Sequence, residues 1–147
     1  MTDVFRVYIS PSSPGFAEID RLIEHVENRD GVMKNIGQAL LSTTQDRFSS
    51  QTTPDGAGWP ALSAATVAKR GAAGPILRQS GRLYGSLNYQ VSGDTVRLGP
   101  NTIYSAVHNF GHTFSTGVTV PARQYVGFGP ADQRAVRETI EEWLEQI

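Results

Sequence analysis

The spacing of apolar residues changes several times along this chain, and each change predicts an element. VFRVYI, at Val4–Ile9, alternates in a strand-like way among β-branched and aromatic residues. PSSPG then breaks the chain at Pro11–Gly15. From Phe16 the period becomes helical, with Ile19, Leu22, Ile23 and Val26 on one stripe. NRDG at Asn28–Gly31 interrupts that helix or hands over to a second one, with Asp30 as N-cap. Val32, Ile36, Leu40, Thr44 and Phe48 keep to one face of the second run.

The middle of the chain reads as short elements separated by turn chemistry. SSQTTPDGAGWPALS, Ser49–Ser63, is a loop by composition, and its Trp59 must either close over the core or wait for a partner surface. Ser63 caps a short helix, AATVAKR, that Gly71 ends. ILRQSGRLYGSL, Ile76–Leu87, predicts another short helix with Leu77, Leu83, Tyr84 and Leu87 inward. Its Gly81 and Gly85, four apart, suggest a second backbone passing close by. NYQVSGDTVRLG, Asn88–Gly99, predicts a hairpin turning at Gly93-Asp94. NTIYSAVHNFG predicts a helix begun by Asn101 or Thr102 and stopped by Gly111. A Ser-Thr-Gly loop, a strand-like VTV and the apolar connector QYVGFGP follow. The last helix starts near Pro130, with Asp132 at its positive end and a buried stripe of Ala135, Val136, Thr139, Ile140, Trp143, Leu144 and Ile147. The order implies an α+β fold: a long N-terminal helical region and a C-terminal helix packed on a small antiparallel sheet with a hairpin.

Composition narrows the classes. A chain of 147 residues, 39% hydrophobic and 18% charged, is expected to form a single globular domain over 1–147. With no cysteine it has no disulfide, thiolate zinc site or cysteine nucleophile. No apolar run approaches the roughly 20 residues of a spanning helix, so no membrane contact is expected. MTDVFRVYIS lacks the layout of a signal peptide, which points to the cytoplasm. Charge is uneven: residues 1–50 carry five Lys/Arg and seven Asp/Glu, 51–130 six and two, 131–147 two and five. A basic middle between acidic ends suits nucleic acid or complementary faces of neighbouring subunits. Six scattered cations without a run favour the second.

Candidate chemistry is thin. His108 and His112, four apart, would share a helical face and could grip a metal, but Gly111 ends the helix between them and no carboxylate lies nearby. Ser105, His108 and Asp94 can be assembled into a triad on paper, without a nucleophile elbow to support it. Glu138, Glu141, Glu142 and Glu145 form a solvated helix face, and GAAGP lacks the Lys of a phosphate loop. Neither catalysis nor a cofactor is expected. What stands out instead is glycine paired with large aromatics: Gly58-Trp59, Gly81–Gly85 with Tyr84, Phe110-Gly111, and Tyr125–Phe128. They roof a small core or wait for a neighbouring subunit.

Four motifs, taken in order, carry a resemblance. RFSSQTTPDGAGWPALSAAT, ILRQSGRLYGSL, VRLGPNTIYSAVHNFG and VPARQYVGFGPAD together resemble the virion morphogenesis (tail completion) family of Mu-like and related tailed phages. The likeness runs from Arg47 to the last helix; Ser105 and Tyr125 depart from the family's usual residues. More distantly, HNFG…PAR looks like the ending of head–tail connector proteins. The resemblance implies a structural, non-enzymatic virion component that completes the tail or joins it to the head. It would be assembled in the host cytoplasm and act at the neck as a ring of identical, expectedly six, subunits. Its partners would be copies of itself, tail-tube and connector proteins, with DNA contact in the lumen through Arg78 or Arg82 a further option. Candidate interface or motif positions are Trp59, Arg82, Tyr84, Tyr104, His108, Phe110, Gly111, Pro121, Arg123 and Tyr125. His108 and Phe110 would hold the turn that places the PAR segment, and Arg123 would pair with an acidic neighbour or brace a loop. A head-proximal adaptor, a small hydrolase and a DNA-binding module are the rival readings.

Overall fold

A computed structural model of the chain describes residues 16–71, 74–78, 80–102 and 104–146. The strand expected at Val4–Ile9, the break at 11–15 and the placements of Ile19 and Ile147 lie outside the described residues. The chain is α+β, in the order α1 (Phe16–Glu27), α2 (Asp30–Ser50), α3 (Ala64–Arg70), α4 (Arg82–Ser86), β1 (Asn88–Ser92), β2 (Thr95–Gly99), α5 (Ser105–Phe110), β3 (His112–Thr113), β4 (Thr119–Val120) and α6 (Pro130–Glu145). The strands make two separate antiparallel hairpins, β1–β2 and β3–β4.

Helix α2 is the organising element. Gly37 lies against the ring of Tyr89 so closely that any Cβ there would run into it, which lets the β1–β2 hairpin reach the helix backbone. About a quarter turn away, Thr43 and Arg47 face α6 and bind Asp132. The hairpin register pairs Tyr89 with Leu98 and Val91 with Val96, and Gly93 supplies the left-handed residue that a two-residue turn demands. Toward its C-terminal end α2 delivers Phe48, 1% exposed, into the core. There Trp59, Tyr84 and Tyr125 surround Phe48 at ring-centroid distances of 5.5, 5.4 and 5.3 Å. Ile76, Leu83 and Leu87 complete the cluster. Trp59 therefore closes over the core.

Several boundaries follow the local chemistry as expected. The Ser63 side chain accepts from the Thr66 N–H, and Gly71 ends α3 in the left-handed conformation. Others move. Asp30 is the first helical residue of α2, and Arg29 occupies the cap. The helix expected over Ile76–Leu87 shrinks to Arg82–Ser86, because Leu77 and Gly81 both take positive φ, 61° and 73°, which no right-handed helix can contain. Among the described residues nothing comes within 4 Å of a Cβ placed at Gly81 or Gly85, so none of them brings a second backbone close there. The helix expected from Asn101 begins only at Ser105, because the Thr102 carbonyl first closes a turn on the Ser105 N–H and hydroxyl.

The larger correction concerns burial. Helix α1 is amphipathic, yet Leu22, Ile23 and Val26 are 43%, 49% and 42% exposed. On α6 the buried residue is Asp132, while Ala135, Val136, Thr139 and Trp143 are half-buried and Ile140 and Leu144 exposed. An apolar stripe shows which face of a helix avoids water. It does not say whether the same chain supplies the cover.

Candidate functional site

The motif-bearing segments converge on one short run, Arg123–Gly129, that has almost no regular structure of its own. Its backbone groups must therefore find partners elsewhere. Helix α5 provides three. The Asn109 carboxamide oxygen accepts from the Tyr125 and Val126 N–H groups at 3.0 and 3.1 Å, and the His108 carbonyl accepts from the Arg123 N–H at 2.8 Å. The Tyr125 hydroxyl donates back to the Ser105 carbonyl at 2.8 Å. Burial pushes that phenol up to about 12, an effect the hydrogen bond to Ser105 opposes.

The loop 51–63 and α2 hold the other side. Trp59 Nε1 donates to the Gln124 carbonyl at 2.9 Å. Arg123, 7% exposed, donates from Nε to the Pro60 carbonyl at 2.8 Å and from Nη2 to the Ala61 carbonyl at 2.9 Å. Of its two expected roles, Arg123 therefore performs the brace on a loop. Arg47, also buried, donates to the Tyr125 carbonyl at 2.8 Å and forms an ion pair with Asp132. Asp132 in turn accepts from the Gly129 N–H at 2.8 Å and from the Thr43 hydroxyl, so both of its oxygens are used. A buried charge pair needs this degree of satisfaction to be tolerated. Gly111 makes the corner possible: with φ 74° it is left-handed, and a Cβ there would lie 2.8 Å from Ala122 N and 2.9 Å from the Val120 carbonyl oxygen.

A cleft of about 580 Å³ opens beside this knot. Ile76, Leu83, Val118 and Val120 give it apolar walls, and Arg70 and His108 give it polar ones. Tyr104 meets the His108 ring edge-on at 5.7 Å. Among the described residues, His108 Nδ1 is buried without a hydrogen-bond partner. Desolvation, and then the charge of Arg123, lower its pKa below the ordinary 6.5, so the imidazole is neutral at neutral pH.

These placements sort the sequence candidates. Trp59, Arg123 and Tyr125 are buried within the chain; Tyr84, Tyr104, His108, Gly111 and Pro121 are half-buried around the knot and cleft; Arg82 and Phe110 are exposed, Phe110 by 75%. Arg78 lies over the Tyr84 ring at 4.2 Å, a cation–π contact. His108 and His112 do not face one another, since His112 has passed the helix end and meets Phe114 edge-on at 4.6 Å. Ser105, His108 and Asp94 do not meet either: Ser105 is turned to the Thr102 carbonyl, and Asp94 pairs with Arg29 at the hairpin tip. Among the described residues, no group of three or more His, Asp or Glu could hold a metal ion, and no helix is long and apolar enough to cross a membrane. Sequence reasoning missed Arg47 and Asn109 as organisers, and saw Asp132 only as a helix-dipole residue. Partners 85 and 16 residues away leave no local trace.

Comparison with known proteins agrees with the resemblance that the motifs carry. A protein of Escherichia phage Mu named for capsid assembly, protein G, is 31% identical over 146 residues, covering 94% of this chain and 88% of the relative. The Mu-like prophage FluMu G protein 2 of Haemophilus influenzae is 23% identical over 131 residues, covering 88% of each. No solved structure matches the chain. The model of the phage virion morphogenesis family matches residues 17–145, from the first turn of α1 to the last of α6, and the chain belongs to that family.

Proposed function

We propose that this phage assembly protein completes the tail, or joins it to the head, as one subunit of an oligomeric ring at the neck. One observation carries the reading beyond family membership. Trp59, Asn109, Arg123 and Tyr125 of the motifs are consumed in tying the chain to itself, while Phe110, Val118 and Phe128 are 75%, 59% and 60% exposed around the same knot. Large apolar side chains held outward by a rigid frame suit a surface that other protein covers. The knot also offers little to a substrate, because the Arg123 guanidinium and the Asp132 carboxylate are already committed to hydrogen bonds.

The test is a phage lacking this chain, examined by electron microscopy and complemented with a tagged copy. The expected result is finished heads and tails that fail to join, restored by the copy, with the tag at the neck. Normal infectious particles in its absence would overturn the reading. A head-proximal adaptor is the second reading, favoured by the capsid-assembly name of the phage Mu relative. A tag on tail-free heads selects it.

A further inference from the structure

The basic cleft and the exposed stripe of α1 lie toward opposite ends of α2. The cleft shares Ile76 and Leu83 with the core cluster around Phe48, near the helix's C-terminal end. Helix α1 sits near the N-terminal end, where its His25 stacks on Trp143 at 4.6 Å and donates to the Trp143 carbonyl at 2.8 Å. Val32 lines the hollow beneath it. From Val32 to Phe48 the helix runs about 24 Å at 1.5 Å per residue.

Resting on the ring reading above, we propose that the cleft of one copy receives the Leu22, Ile23 and Val26 face of α1 from the next copy. Charge argues for the match. Arg70 and the buried Arg123 line the cleft as its charged groups with no carboxylate among the lining residues, and no acidic residue occurs anywhere between Asp55 and Asp94. On α1, Asp20 and Glu27 flank one edge of the stripe, while Glu24 turns toward the hollow over α2. Apolar side chains meet apolar walls while the acidic flank meets the basic rim. Reach argues that the occupant is a second molecule. Ile23 stands only five residues from the break at Asn28, about 8 Å of helix, and cannot span the length of its own α2. His25, on another face, keeps α1 against α6 while the stripe points away. Two different surfaces at opposite ends make a heterologous contact, which builds a ring when its rotation closes.

Two full-length variants test the contact: Ile23→Lys on the helix face and Val118→Glu at the cleft rim, both exposed positions, with folding checked by circular dichroism. Molar mass in solution is the readout. The wild type is expected as an oligomer and each variant alone as a monomer. An equimolar mixture should give a heterodimer and nothing larger, because each pair keeps one intact stripe and one intact cleft. An oligomer that survives either substitution, or a mixture that fails to pair, overturns the contact and leaves the ring reading standing. A wild type that stays monomeric at high concentration overturns both. A second measurement uses the absence of cysteine. Oxidised chains carrying both Ile23→Cys and Val118→Cys should form a ladder of covalent multimers, whereas homodimers from Ile23→Cys alone would contradict the proposal.

Discussion

The two ends of this molecule are built on different principles. At one end Phe48, Tyr125, Arg47 and Asp132, none more than 5% exposed, are locked by side-chain hydrogen bonds and packed rings. At the other, α1 and the second half of α6 meet through His25 and Trp143 while their aliphatic residues face water. The first end holds most of the four motifs that carried the resemblance, and the second end holds none of them, although the family match runs through both. A recognisable motif is here a device for internal order. At the second end the exposed surface is written in ordinary leucines, isoleucines and glutamates.

That contrast can be broken most severely at the ion pair. Asp132→Ala strands a buried guanidinium and frees the Gly129 N–H, so urea unfolding should show a loss of about 3–5 kcal/mol. A loss under about 1 kcal/mol would remove the pair from the frame. Gly111→Ala comes next, at about 2–3 kcal/mol, since it adds a strained left-handed residue to a backbone clash with Ala122. Asn109→Ala should cost about 2 kcal/mol by leaving the Tyr125 and Val126 N–H groups unpaired. Leu22→Ser, at the loose end, should change the stability of the lone chain by no more than about 0.5 kcal/mol. An effect as large as that of Asn109→Ala would mean that the same chain covers the stripe after all.

The smallest expected effect is with pH. Because the folded His108 pKa lies below 6.5, the unfolded chain takes up a proton first as pH falls. The stability linked to this group is complete above pH 6.5 and drains away as pH drops through the lower, folded value. His108→Gln should flatten that part of a pH–stability profile, and an unchanged slope would show that the ring is as well solvated folded as unfolded.

Much of the fold was legible because it is local. The Ser63 cap, the Gly93-Asp94 turn, the Pro130 start and the α2 stripe each follow from neighbours within a few residues. The start of α5 was not legible, since a turn at Thr102 competes with a cap at the same place. Nor was the short α4, because Leu77 takes a left-handed conformation that its side chain gives no reason to expect. At the site, most of the motif residues faced inward while Arg82 and Phe110 did not, and the alternatives for Trp59 and Arg123 could be decided only by what lay across from them. The apolar stripes of α1 and α6 were both found, but the burial expected of the α6 stripe was wrong, for periodicity is blind to chain count.

The joint between α1 and α2 has a property of its own. Arg29, in that joint, is tethered to Asp94 at the hairpin tip by an ion pair of 3.1 Å whose two side chains are 51% and 68% exposed. Its charges stand closer together than the screening length of about 8 Å at physiological ionic strength and match that of about 3 Å at 1 M, so only concentrated salt weakens it substantially. Ordinary host salt therefore leaves this tether largely in place, and strong brine would loosen the joint while the stacked His25 and Trp143 rings still hold the first helix to the body.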